Sequence, residues 1–192
     1  MNIANIISLA RLLSVPVFVW LILIDETPAA FWLFLAAAIS DAVDGIIAKT
    51  FNMQTNLGAY LDPIADKTLL VAAYIVLGGK DLLPLWVVIP VVSRDALIVG
   101  GALLFDKLTG KLNMEPILVS KLNTVMQLLL IIAAMLPSVF ASPIAPVVTL
   151  MSTAVLVTTL VSGAAYVYIW TMRAHVLERV SDADTKGNNR EP

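Results

Sequence analysis

Six long apolar stretches, at about 9–24, 28–48, 57–78, 84–105, 118–136 and 144–171, alternate with short polar breaks along this chain. A helix needs roughly 20 predominantly apolar residues to cross a bilayer, where lipid offers no partner to an unpaired backbone group. The pattern predicts an all-α, polytopic membrane protein with six transmembrane helices. The first stretch is short for a span. Residues 2–8, with Asn2, Asn5 and Ser8 set among Ile3, Ile6 and Ile7, read as an N-terminal interfacial segment leading into it. No lysine precedes that stretch, and apolar character resumes directly after Asp25-Glu26, so it reads as a retained span and not a cleaved leader. The breaks, Asp25 to Pro28, Thr50 to Asn56, Gly78 to Pro84, Asp106 to Pro116 and Pro137 to Pro146, carry ordinary turn signals.

Composition agrees. Of 192 residues, 59% are hydrophobic and 14% charged, too little polar surface to coat a soluble globule. A net charge of −2 supplies no basic field for nucleic acid. The absence of cysteine excludes disulfides, thiolate metal sites and cysteine nucleophiles. The single histidine, His175, falls in the polar region near the end and reads as solvated. No internal repeat is visible. Residues 1–175 form one membrane domain, and 176–192 are expected to be a polar, disordered cytoplasmic tail.

Six spans put both termini on one side, and the positive residues choose it. Arg11, Lys49, Lys67, Lys107, Lys111, Lys121, Arg173, Arg179, Lys186 and Arg190 fall at or near the terminal side, against Lys80 alone in an opposite loop. Both termini are expected to be cytoplasmic, in a cytoplasmic (inner) membrane. Arg94 belongs to neither set, being well inside the fourth stretch.

Ionisable groups within membrane helices cost about 2.5–3.5 kcal/mol each on insertion scales, so a cluster requires a reason. Asp41, Asp44, Gly45 and Ala48 stand at i, i+3, i+4 and i+7, which places two acids and two small residues on one helical stripe. Gly58, Asp62 and Asp66 stand at i, i+4 and i+8, a second stripe. The short connection from Thr50 to Asn56 predicts antiparallel neighbouring helices, so that four carboxylates converge at the cytoplasmic end. Four packed acids repel unless protonated, paired or bound to metal. Local pairing, of Asp66 with Lys67 or Asp44 with Lys49, accounts for one acid and not for two matched stripes. A proton or ion pathway, as in a transporter, spreads its acids through the membrane depth; these gather at one end. Oxygen-only ligands favour a hard ion, Mg²⁺ or Mn²⁺, which completes its shell with water and phosphate. A phosphate-bearing substrate is implied.

The same residues resemble the signature of the CDP-alcohol phosphotransferases, D-x-x-D-G-x-x-A-R-x(8 or 9)-G-x-x-x-D-x-x-x-D. Here it reads Asp41, Asp44, Gly45, Ala48, Lys49, eight residues to Gly58, then Asp62 and Asp66. The departure is Lys49 where the family has Arg, which keeps the charge and gives up the bidentate fork. The opening from Asn2 to Arg11, with Asn5 and Ser8, resembles the family's glycerophospholipid branch and marks a candidate lipid or nucleotide contact. All four aspartates are candidate metal ligands. Within that set the resemblance implies that Asp41, Asp44 and Asp62 hold two divalent ions bridged by the CDP diphosphate, and that Asp66 is the general base. It also implies that Gly45, Ala48 and Gly58 let CDP approach the helix backbones, with Asp41 and Lys49 beside it, and that the protein is a homodimer.

In this family the donor is usually CDP-diacylglycerol, and the acceptor distinguishes its members. Arg94, Lys121 and Asn123 are the candidate acceptor-binding residues, polar where lipid would penalise them. Ser93-Arg94-Asp95 and Ser120-Lys121-Leu122-Asn123-Thr124 resemble segments of the mitochondrial-type cardiolipin-forming branch. The resemblance therefore implies transfer of a phosphatidyl group to phosphatidylglycerol, giving cardiolipin and CMP. Glycerol 3-phosphate, as in phosphatidylglycerophosphate synthesis, is the alternative acceptor.

Overall fold

The computed structural model describes the backbone of residues 3–51, 56–109, 118–140 and 144–188, and the side chains of 9–40, 67–101, 119–140, 144–169 and 171. Among these residues there are six helices and no strand: α1 (Ile3–Leu23), α2 (Thr27–Phe51), α3 (Asn56–Gly79), α4 (Leu85–Thr109), α5 (Leu118–Phe140) and α6 (Ala145–Asn188). Each apolar stretch corresponds to one helix. Two boundaries differ from expectation. Residues 3–8 are the first turns of α1, not a separate segment, since no breaker stands before Pro16. At the other end α6 continues as helix past residue 175 to Asn188, where a disordered tail was expected. Between Val176 and Lys186 there is neither Gly nor Pro, while Leu177, Glu178, Arg179 and Ala183 favour helix.

The helices form a closed ring in the order α1, α2, α5, α6, α4, α3 and back to α1, with α3 also touching α5 across the middle. Three hairpins (α1–α2, α3–α4, α5–α6) are thus neighbours in sequence and in space. Helices α2 and α3 are not in contact among the described residues, contrary to the direct pairing expected from their short connection; α1 packs against both. The connection constrains the helix ends, not their bodies. Five Cα steps from Phe51 to Asn56 reach about 17 Å, enough to pass one intervening helix. The wedge is apolar: Phe18 and Ile22 of α1 are buried, and the Phe18 ring lies 5.6 Å from that of Phe34 on α2.

Helices α1 and α3 end alike. Asp25 and Asp81 adopt left-handed φ values of 64° and 57°. The next residue in each case reaches back five positions, Glu26 N to Leu21 O and Leu82 N to Leu77 O, both 2.9 Å. This is the Schellman closure, with Asp where Gly is usual. Lys80 joins the two ends, donating to the orphan carbonyl of Leu23 at 3.2 Å and pairing with Asp25. A cation there also complements the helix dipoles.

Polarity is arranged inside out. Leu13, Trp20, Trp32, Ile89, Leu97 and Leu150 are more than half exposed, while Arg94, Asp95, Asn123 and Gln127 are buried. Water would reverse that distribution. Among the described residues Val119–Phe140 and Ala145–Ile169 are long and apolar enough to cross a membrane.

Gly78 is needed for close packing, not for turning. A Cβ added there would lie 3.0 Å from Val88 Cγ2, whereas one at Gly79 meets nothing within 4 Å. Gly78→Val is therefore expected to destabilise by about 1–3 kcal/mol through overpacking. Gly79→Ala should leave the unfolding temperature in detergent nearly unchanged.

Candidate active site

The backbone places both acidic stripes at one end of the bundle. Asp41, Asp44, Gly45, Ala48 and Lys49 lie toward the C-terminal end of α2, and Gly58, Asp62 and Asp66 toward the N-terminal end of α3. The first turns of α1, bearing Asn5, Ser8 and Arg11, start at the same end of the bundle. Arg11 is buried. The side chains of Asn5, Ser8 and the signature residues lie outside the described set, and among the described residues no group of three or more metal-ligating side chains occurs. The donor chemistry nevertheless fits a hard divalent ion. Four carboxylates and no imidazole or thiolate stand on two helix ends joined by a short connection.

One residue beyond Asp66, Lys67 begins the described part of α3 and reaches across to α4. Its Nζ donates to Asp95 Oδ2 at 3.0 Å. The other carboxylate oxygen of Asp95 accepts from Arg94 Nη1 at 2.6 Å. Arg94 Nη2 donates to Ser120 Oγ on α5 at 2.7 Å and to Ser162 Oγ on α6, and the guanidinium lies 5.7 Å from the centre of the Tyr166 ring. A single carboxylate thus gathers two cations, and the second of them reaches two further helices. Charges removed from water need this degree of pairing. Gly163 packs against the stem, and a Cβ there would lie 3.6 Å from Arg94 Cγ, an ordinary contact.

A neutral polar seam continues between α5 and α6. Asn123 Oδ1 accepts from Thr158 Oγ1 at 2.7 Å and Thr159 Oγ1 at 3.0 Å. One turn further along α5, the backbone carbonyl of Gln127 accepts from Tyr74 Oη at 3.2 Å, binding α3 to α5. Such bonds hold membrane helices together where hydrophobicity supplies no net attraction between them.

The three candidate acceptor residues therefore part company. Arg94 and Asn123 are buried in the α4–α5–α6 seam, where both terminal nitrogens of Arg94 and the Oδ1 of Asn123 are bonded internally while Arg94 Nε and Asn123 Nδ2 have no partner among the described residues. Lys121 is exposed on the surface of α5. The adjacent Arg94 and Asp95 pair directly. Sequence reasoning used Lys67 as a marker of membrane orientation and as a possible local partner of Asp66, and passed over Ser162 and Tyr166. The available signal was a lysine on one membrane helix and an aspartate inside another, each too costly to remain single.

A helical chain with an apolar exterior, charges collected inside and a two-helix acidic motif at one end is of the membrane-embedded class. It belongs to the CDP-alcohol phosphatidyltransferase family, whose model matches residues 1–177. Among its relatives, the chloroplastic CDP-diacylglycerol–glycerol-3-phosphate 3-phosphatidyltransferase 1 of Oryza sativa subsp. japonica is 34% identical over 184 residues, covering 86% of this chain and 56% of that protein. Cardiolipin synthase (CMP-forming) of Rattus norvegicus is 32% identical over 155 residues, 72% of this chain and 51% of that protein. CDP-diacylglycerol–glycerol-3-phosphate 3-phosphatidyltransferase of Bacillus subtilis is 40% identical over 114 residues, 52% of this chain and 59% of that protein. The chain spans a little over half the length of these curated relatives.

Arg94→Gln takes one of two cations from Asp95 and the donor from Ser120 and Ser162, and is expected to cost about 3 kcal/mol of stability, the low end of what a stranded buried charge costs. Ser162→Ala, which deletes one hydroxyl acceptor, should cost only about 1 kcal/mol. Unfolding temperatures of the two variants in the same detergent provide the comparison.

Proposed function

We propose that this protein is a metal-dependent phosphatidyltransferase that moves a phosphatidyl group from CDP-diacylglycerol to the hydroxyl of phosphatidylglycerol, giving cardiolipin and CMP. The observation that carries the reading is the signature itself, seven of its eight fixed positions, divided between the C-terminal end of α2 and the N-terminal end of α3. All six helices are taken as spans of a cytoplasmic membrane, with both termini and the site on the cytoplasmic side. The apolar exterior and the distribution of Lys and Arg support that topology. The family resemblance supports a homodimer.

In this mechanism Asp66 takes the proton from the acceptor hydroxyl at a carboxylate oxygen, provided that the hydroxyl is held within hydrogen-bond reach. The hydroxyl oxygen forms a bond to the phosphorus that carries diacylglycerol. The bond from that phosphorus to the oxygen it shares with CMP breaks, and CMP leaves with the electron pair. Asp41, Asp44 and Asp62 would hold two Mg²⁺ or Mn²⁺ ions, with Asp66 at the margin of the set; such ions neutralise charge on the attacking and departing oxygens. Gly45, Ala48 and Gly58 leave space for CDP against the helix backbones. Lys49 offers the diphosphate a point charge.

A second acceptor, glycerol 3-phosphate, is supported by the rice and Bacillus relatives, both glycerol-3-phosphate 3-phosphatidyltransferases. The cardiolipin-forming reading is supported by the rat relative. It is also supported by the meeting of the two segments that resemble that branch, through Arg94 and Ser120.

Asp41→Asn in purified, detergent-solubilised protein is expected to reduce CMP release from CDP-diacylglycerol to background. Unchanged release would remove the metal role. Labelled CDP-diacylglycerol supplied with phosphatidylglycerol or with glycerol 3-phosphate, and resolved by thin-layer chromatography, should give cardiolipin in the first case; a phosphatidylglycerophosphate product in the second would transfer the assignment to the alternative.

A further inference from the structure

The buried cation cluster divides its duties unequally. Arg94 is 4% exposed, and both of its terminal nitrogens are engaged, by Asp95, Ser120 and Ser162, with Tyr166 against its face. Its Nε has no partner among the described residues but is buried with the rest of the side chain, so a substrate phosphate would have to part those contacts to reach it. Lys67 differs on each count. Its side chain is 25% exposed, and its bond to Asp95 uses one of the three N–H groups of an ammonium. Together Lys67, Asp95 and Arg94 carry a formal charge of +1, and that surplus has its outlet at the more exposed end, on Lys67.

Position matters as much as charge. Lys67 directly follows Asp66, the proposed base, and consecutive residues on a helix diverge by about 100°. Both candidate acceptors are phosphate esters of glycerol, in which a short carbon backbone separates the reacting hydroxyl from the phosphate. A base and a cation one residue apart on α3 lie within one helical turn of each other, at different angles about its axis.

From this we propose that Lys67, and not Arg94, is the residue that meets the acceptor's phosphate, with Asp95 and Arg94 as the buried pair that positions its ammonium. The assignment rests on the transferase reading above. The shared chemistry is a glycerol phosphoester, whether the free monoester or the lipid diester.

The test varies glycerol 3-phosphate or phosphatidylglycerol against saturating CDP-diacylglycerol, following CMP release by the full chain. Lys67→Gln is expected to raise KM for the acceptor that the wild type uses by about 10- to 100-fold, the worth of one charged hydrogen bond. KM for CDP-diacylglycerol and the unfolding temperature should stay near wild type, because Asp95 keeps Arg94. Lys67→Arg should recover most of the acceptor KM. Arg94→Lys should instead lower the unfolding temperature without a selective rise in acceptor KM. An unchanged acceptor KM in Lys67→Gln overturns the assignment alone, as does a parallel rise for both substrates with loss of thermal stability. A wild type that releases CMP with neither acceptor overturns the transferase reading, and the assignment with it.

Discussion

The carboxylate of Asp95, held between Lys67 and Arg94, is the interaction on which the interior of this bundle depends. An aspartate inside a membrane helix is tolerable only when its charge is answered, and here it is answered twice, from α3 and from its own helix. Arg94 carries the connection on to hydroxyls of α5 and α6. One anion therefore holds four helices in register at the depth where α3 passes from the acidic signature into its apolar half. The Arg94–Asp95 contact is strong because both side chains are almost wholly removed from water, and Arg94 is correspondingly hard to dispense with, whereas Lys67 is a quarter exposed.

The ring of helices explains how the acidic stripes are presented. With α1 wedged between α2 and α3, the two signature helices make no direct contact among the described residues, and the short connection restrains only their ends. The opposite end is closed by Lys80, which ties the termini of α1 and α3. A bundle fastened at one end and braced through Asp95 in the middle leaves its remaining end for substrate. The neutral seam of Asn123, Thr158 and Thr159 adds rigidity between α5 and α6 without adding charge.

Much of this was legible in the sequence, because hydrophobic length and turn residues are local properties. The six stretches and their polar breaks needed no knowledge of packing. The packing order was not legible. A short linker implied that α2 and α3 are neighbours, yet a linker restrains end positions only, and the bulk of Phe18 and Ile22 decided that α1 lies between. Local chemistry also misled in detail. Gly78-Gly79 read as a break, but both belong to α3, and the left-handed turn falls on Asp81, where sequence gives Gly the preference. Arg94 and Asp95 were recognisable as costly residues, while the partner that makes them affordable, Lys67, is separated from Asp95 by a helical hairpin and looked like an orientation signal.

Charge arithmetic joins the two halves of the proposed site. Four ionised aspartates carry −4, and the two divalent ions proposed for them would carry +4, so that half would be neutral before substrate arrives. The diphosphate and the acceptor phosphate of the proposed reaction would then both be unmatched anions entering a low-dielectric region. Lys49 stands on the diphosphate side of the signature, and the +1 cluster of Lys67, Asp95 and Arg94 on the other. A neutral buried pair behind Lys67 would have left the lysine's charge intact while fixing its place, and that is the effect of coupling Asp95 to Arg94. Nothing in such an arrangement distinguishes a phosphomonoester from a phosphodiester by charge alone. Selection between a free glycerol phosphate and a lipid acceptor would therefore have to come from shape and not from charge.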